Sequence, residues 1–109
     1  MNGFRAETST NGDTATVRFE GELDLASAGQ AEAALARVEE DPTAPTIVLD
    51  LRGVRFLDST GLRVILAADS RARRSGRVVQ VIPGPEAVHR VFRIALLDRR
   101  LEFIEPEDG

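Results

Sequence analysis

Apolar and polar residues alternate at Phe4, Ala6 and Thr8 against Arg5 and Glu7, and again at Ala15, Val17 and Phe19 against Thr16, Arg18 and Glu20. Asn11-Gly12 between the two runs supplies turn chemistry, so the pattern predicts an antiparallel hairpin. Gly21 to Ala26 read as a connection. Ser27 and Gln30 then stand at capping-box spacing ahead of Ala31, Ala34, Leu35 and Val38, which predicts a first helix from about Ser27 to Glu40. Asp41-Pro42 and Pro45 break it. The unbroken apolar character of Thr46-Ile47-Val48-Leu49 predicts a central strand covered on both faces.

Beyond Asp50 and a turn at Gly53, Leu62, Ile65, Leu66, Ala68 and Ala72 recur with helical period until Ser75-Gly76 stops them, so a second helix starts close to Ser59. Arg63, Val64, Ala67 and Arg71 point away from its apolar arc. Asp69 falls inside the arc, where it either pairs with Arg73 one turn later or marks a helix more exposed there than the arc implies. Val78 to Ile82 form the next buried strand, and Pro85 suits the first position of a third helix that carries Val88, Val91, Phe92 and Ala95 and ends near Asp98. Leu101 to Ile104 make a short last strand, and residues 105–109 have the composition of a flexible C-terminal tail. Strand-helix-strand alternation after a hairpin gives a small α/β domain spanning 4–104, with a mostly parallel sheet and one antiparallel strand.

The 109 residues suffice for one domain with a real core. No apolar run approaches the roughly 20 residues of a bilayer-spanning helix, and the first residues lack the layout of a secretory signal. Without cysteine there is no disulfide framework or thiolate metal site. The expected compartment is the cytoplasm. The formal charge is −4, and arginine carries all of the positive charge. Arg71, Arg73, Arg74 and Arg77 form the densest basic stretch, but they follow a helical pattern in an acidic chain. They read as a solvated helix end favoured by the macrodipole, not as a nucleic-acid surface.

Chemistry concentrates in Val54-Arg55-Phe56-Leu57-Asp58-Ser59-Thr60-Gly61-Leu62, where an apolar pair delivers small polar residues and a glycine to a helix start. Free backbone N–H groups there favour an anion, so a phosphate on Ser59 is tolerated without unfolding. On the local pattern alone the first reading is a helix cap at Asp58, Ser59 or Thr60. Enzymatic readings fail on spacing. An aspartic-protease signature has one residue fewer between Asp and Gly, and a nucleophile elbow needs glycine where Leu57 stands. His89, the sole histidine, falls on the polar side of the third helix and reads as solvated, without companions for a metal site or a triad. No phosphate loop or dinucleotide fingerprint occurs. The chain reads as a non-enzyme without cofactor.

Three blocks together, Gly21-Glu22-Leu23-Asp24-Leu25-Ala26-Ser27, Ile47-Val48-Leu49-Asp50-Leu51 and Phe56-Leu57-Asp58-Ser59-Thr60-Gly61-Leu62, resemble in order and spacing the signature blocks of STAS-domain anti-sigma factor antagonists. The resemblance implies the STAS fold, a small mixed, mostly parallel sheet beginning with a hairpin and packed with three to four helices. It implies phosphorylation of Ser59 by an anti-sigma factor that is itself an ATP-dependent serine kinase, with Thr60 a second candidate, and reversal by a metal-dependent serine phosphatase. Asp24, Asp58, Ser59, Thr60 and Gly61 would then form the partner-facing corner, with Arg63, Val64 and Ala67 of the second helix the next candidates for contact. Asp24 also reads as a loop or helix-start acid near Ser27. In such a switch the unphosphorylated chain binds the kinase and releases a sigma factor. A phosphate, adding about −1.5 to −2 charge beside Asp58 and Asp24, disfavours docking by repulsion and desolvation. STAS domains also serve as transporter tails, stressosome scaffolds and subunits of lipid-transport complexes, so the alternative is a STAS subunit of another assembly.

Overall fold

The computed structural model describes residues 3–41 and 43–106. One five-stranded sheet holds β1 (Arg5–Asn11), β2 (Thr14–Leu23), β3 (Thr46–Leu57), β4 (Val78–Ile82) and β5 (Glu102–Phe103) side by side in chain order. The connections carry α1 (Ala28–Glu39), α2 (Ser59–Arg74) and α3 (Glu86–Ile94). Only β1 and β2 pair antiparallel; every other neighbouring pair is parallel. Each parallel step advances one strand in the same direction, and right-handed crossovers therefore put the helices on one face. The single core cluster agrees, because it takes Val17 and Phe19, Leu49 and Leu51, and Val79 and Val81 from alternate strand positions and packs them against Leu35, Ile65 and Phe92 of the three helices.

β3 is central, as its apolar run predicts, but helices cover only one of its faces. On the other face Val48 lies between Thr16 and Gln80, and Asp50 between Arg18 and Ile82. In that position Asp50 is only 3 % exposed. Arg52 holds its carboxylate, with Nε at 3.1 Å from Oδ1, Nη2 at 2.8 Å from Oδ2 and the backbone N–H at 3.0 Å from Oδ1. Burial pushes the Asp50 carboxyl up, yet the Arg52 hydrogen bonds, with the charges of Arg52 and Arg18, outweigh it and leave the group below its ordinary value of 3.8.

Several boundaries differ from those the sequence predicts. Asn11 pairs with Thr14, so the hairpin loop is Gly12-Asp13, with Gly12 at φ +61° in the glycine-first arrangement of a two-residue turn. β2 runs on through Gly21 to Leu23, and β3 through Gly53 to Leu57. Gly53 marks a bulge, not a turn: it faces Glu20 at a register shift, where a Cβ would come 2.8 Å from Glu20 Cγ. Pro85 is the residue before α3, with its carbonyl accepting from His89 N–H at 2.9 Å. α3 stops at Ile94, short of Asp98, because Leu96 takes a left-handed φ of 60° and closes a Schellman pattern, Leu96 N–H to Arg93 O and Leu97 N–H to Phe92 O. No glycine advertises that stop. α2 ends by the same pattern at Ser75-Gly76, where the sequence does advertise it. Pro42 and residues 107–109 lie outside the described residues, and Glu105 and Pro106 carry no regular structure.

The basic stretch is largely dismantled into tertiary contacts. Arg71 pairs with Glu39 of α1, Nε to Oε1 at 2.6 Å, so it is not part of a solvated face. Arg73 Nε lies 2.9 Å from Asp69 Oδ2, the pairing expected one turn apart, and Asp69 is buried. Arg77 donates to the carbonyls of Val38, Glu39, Asp41 and Ala44, capping the C-terminal end of α1 from the start of β4. Only Arg73 and Arg74 are exposed.

Two outcomes test these contacts. Arg77→Ala removes the guanidinium from four carbonyls and should lower unfolding free energy by about 2 kcal/mol in denaturant titration. Asp50→Asn should be less stable than the native chain by about 1–2 kcal/mol at neutral pH. A depressed folded pKa stabilises above the unfolded value and loses that contribution as pH falls through the folded pKa. The gap between Asp50→Asn and the native chain should therefore close below pH 3.8 in an acid unfolding series.

Candidate functional site

β2 and β3 run parallel to the paired ends Leu23 and Leu57, and each chain then reaches an aspartate. The carboxyl ends of parallel strands are where an α/β sheet gathers its functional residues. Asp58 N–H donates to Leu23 O at 3.3 Å, which ties the two strand ends together. Asp58 is extended (φ −105°, ψ −175°) and is the N-cap of α2, its Oδ1 accepting from Gly61 N–H at 2.9 Å. Of the three cap candidates, the aspartate is the one used.

That choice frees Ser59. It is the first helical residue, it is exposed, and its hydroxyl makes no hydrogen bond among the described residues. Thr60 is half-buried beside it and Gly61 is buried. Gly61 has no alternative: a Cβ there would lie 2.3 Å from the Leu23 carbonyl oxygen and 2.8 Å from Leu57 Cδ1. The start of α2 is pressed onto the end of the sheet, and Ser59 is held on the outer side of that contact.

Asp24 is fixed by a reciprocal pair. Its N–H donates to Ser27 Oγ at 2.9 Å, and Ser27 N–H donates to Asp24 Oδ1 at 3.1 Å. The Ser27 hydroxyl donates in turn to Glu22 O at 2.7 Å, and Ser27 is fully buried. Ser27 is the N-cap residue of α1 but makes no side-chain cap bond, so the predicted box with Gln30 does not form. The reciprocal box lies three residues earlier, between Asp24 and Ser27, because the serine side chain is already committed to the turn that leaves β2. This arrangement makes Asp24 a loop acid in the turn before α1, bonded to Ser27.

A groove of about 490 Å³ runs beside Ser59 between α1 and α2. Thr60, Arg63, Val64 and Ala67 form one wall, and Leu25, Ala28, Gly29 and Glu32 the other. Arg63 and Ala67 thus lie where the sequence places them. Val64 does not point away: it is 5 % exposed and belongs to the core. The apolar arc of α2 is wider than its own periodicity shows, because α1 packs on that side and the Arg71–Glu39 pair ties the two helices together. The α1 wall is invisible to a reading of α2 alone. Its one sequence signal is Leu25, a large apolar residue in a polar turn, which stands 75 % exposed.

His89 is only partly open to solvent. It is half-buried, edge-on to Phe103 with ring centroids 4.8 Å apart, and its Nδ1 is enclosed without a hydrogen-bond partner. It sits on α3, away from the α1–α2 groove. Among the described residues no three His, Cys, Asp or Glu side chains are grouped to hold a metal ion, and no helix is long and apolar enough to cross a membrane.

Gly61→Ala tests the contact that sets the site. The added methyl meets a backbone carbonyl that cannot move without unpairing β2 from β3, so the variant should lose about 2–3 kcal/mol of stability. Thermal unfolding measures it.

Comparison with known proteins shows the family and the fold of the chain. The family model described as "Mlab, STAS domain" matches residues 6–105. An anti-sigma F factor antagonist from Lysinibacillus sphaericus is 29% identical over 93 residues, covering 84% of this chain and 78% of the relative. The crystal structure of an anti-sigma factor antagonist from Mycobacterium paratuberculosis is similar at TM-score 0.86 and 24% identity, covering 98% of this chain and 89% of that one. The Bacillus cell fate determinant SpoIIAA, in its phosphorylated form, is similar at TM-score 0.71 and 19% identity, covering 96% and 92%.

Proposed function

The chain belongs to the STAS domain family, and from that membership we propose that it is an anti-sigma factor antagonist, a binding protein switched by phosphorylation at Ser59. The observation that carries the reading is the division of labour at the start of α2. Asp58 caps the helix, and Ser59 stands exposed with its hydroxyl uncommitted. Because Asp58 already supplies the cap, a phosphate on Ser59 leaves that hydrogen bond in place. The Lysinibacillus relative's name and the phosphorylated form of the Bacillus neighbour support the same reading.

In this mechanism the unphosphorylated corner, Asp24, Asp58, Ser59 and Thr60 with the adjoining groove, docks on an anti-sigma factor that is a serine kinase, in the cytoplasm, and the sigma factor leaves. The kinase then transfers the γ-phosphoryl group of ATP to Ser59 Oγ; the hydroxyl proton is lost and ADP departs. The phosphate brings about −1.5 to −2 charge against the carboxylates of Asp58 and Asp24. Affinity falls tenfold for each ~1.4 kcal/mol of repulsion and desolvation. A serine phosphatase hydrolyses the ester and restores docking. Since Ser59 lies outside the Gly61–Leu23 contact, the surface changes while the fold stays.

Incubation with ATP and the anti-sigma kinase of the same genome, followed by mass mapping, should place phosphate on Ser59. Ser59→Ala should bind that kinase as the native chain does and accept no phosphate there. Ser59→Glu should bind about tenfold more weakly or worse. Equal binding by all three overturns the switch. Phosphate on neither Ser59 nor Thr60 favours the other reading, a STAS subunit of a larger assembly.

A further inference from the structure

Arg63 lies four residues after Ser59 on α2 and is exposed. Its helix neighbours Arg71 and Arg73 are held by Glu39 and Asp69, whereas Arg63 has no ion pair or hydrogen bond among the described residues. Glu32 faces Arg63 across the groove, but its carboxylate lies 3.5 Å from Arg71 Nη2. Asp58, one turn back, has its Oδ1 on Gly61 N–H. Arg63 is therefore a cation without a committed partner.

Its direction is set by the helix. Residues four apart lie on one face with Cβ atoms about 5–6 Å apart, and side chains lean toward the helix N-terminus, over the preceding turn. A long side chain at position 63 thus extends back over Ser59. An acidic group N-terminal to a cation at this spacing is the favoured order of the pair, and a guanidinium matches phosphate oxygens in a forked, two-bond geometry.

We propose that Arg63 is the intramolecular receptor for a phosphate on Ser59, closing on it and leaving the groove wall. The inference rests on the reading of Ser59 as the modified residue and adds a second component to the switch. Phosphorylation places a dianion at the mouth of the groove and withdraws a cation from its side. A partner with an acidic group opposite Arg63 then loses an attraction as well as meeting a repulsion. Arg63 is a positioning residue in this scheme, and Val64 and Ala67 stay in place as the apolar floor.

The test uses the full chain with phosphoserine installed at position 59 during translation, so no kinase is needed. The same is prepared in Arg63→Gln and Arg63→Lys, and phosphorus NMR follows the second ionisation of the phosphate, near pH 6. A nearby cation favours the dianion, so the native midpoint should lie about 0.15–0.4 pH unit below that of Arg63→Gln at low salt. Arg63→Lys should fall between them, and added salt should shrink the difference. Equal midpoints for the native chain and Arg63→Gln overturn the inference. Failure of the kinase to modify Ser59 in mass mapping would instead remove the switch reading, and the two failures are read in separate experiments.

Discussion

The close approach of α2 to the end of β2 constrains everything around the site. Gly61 rests against the Leu23 carbonyl at a distance that no side chain permits, while Asp58 N–H bonds that same carbonyl. One backbone oxygen thus registers a helix start against a strand end. Because β2 and β3 are paired up to Leu23 and Leu57, the two aspartates that follow them come to the same edge of the sheet. Asp58 is held to the helix, Asp24 to Ser27, and Ser59 is left as the exposed hydroxyl between rigid supports.

Arginine does the tertiary stapling in a chain without lysine. Arg71 joins α2 to α1, Arg77 closes the end of α1 from β4, and Arg52 holds the buried Asp50 on the face that no helix covers. The guanidinium suits this work because its planar fork of donors can satisfy several carbonyls or both oxygens of one carboxylate. The Arg71 and Arg77 contacts hold α1 beside α2, and the groove next to the start of α2 lies between the two helices.

Much of the architecture was legible in the residues. The alternation at Ala15, Val17 and Phe19, the helical recurrence of Leu62, Ile65 and Ala68, and the Ser75-Gly76 stop all correspond to observed elements. The readings that failed did so where a local signal had more than one physical meaning. Gly53 serves a bulge as readily as a turn; Ser27 bonds backward to Asp24 instead of forward into α1. Leu96 ends α3 in a conformation usually given to glycine. His89 occupies a polar-looking helix position that β5 covers through Phe103.

The sequence by itself determined the element order, the mostly parallel sheet and the segment that holds the candidate corner, because periodicity, turn chemistry and motif spacing are local properties of the chain. Tertiary structure alone decided that Asp58 and not Ser59 caps α2, that Val64 is core and that Leu25 faces Thr60 and Arg63 across a groove. Each of those depends on segments far apart in sequence. A helix shows its own stripe, but only the neighbouring helix determines how wide that stripe must be, and only the strand end beneath Gly61 determines which side of the helix start remains open to a partner.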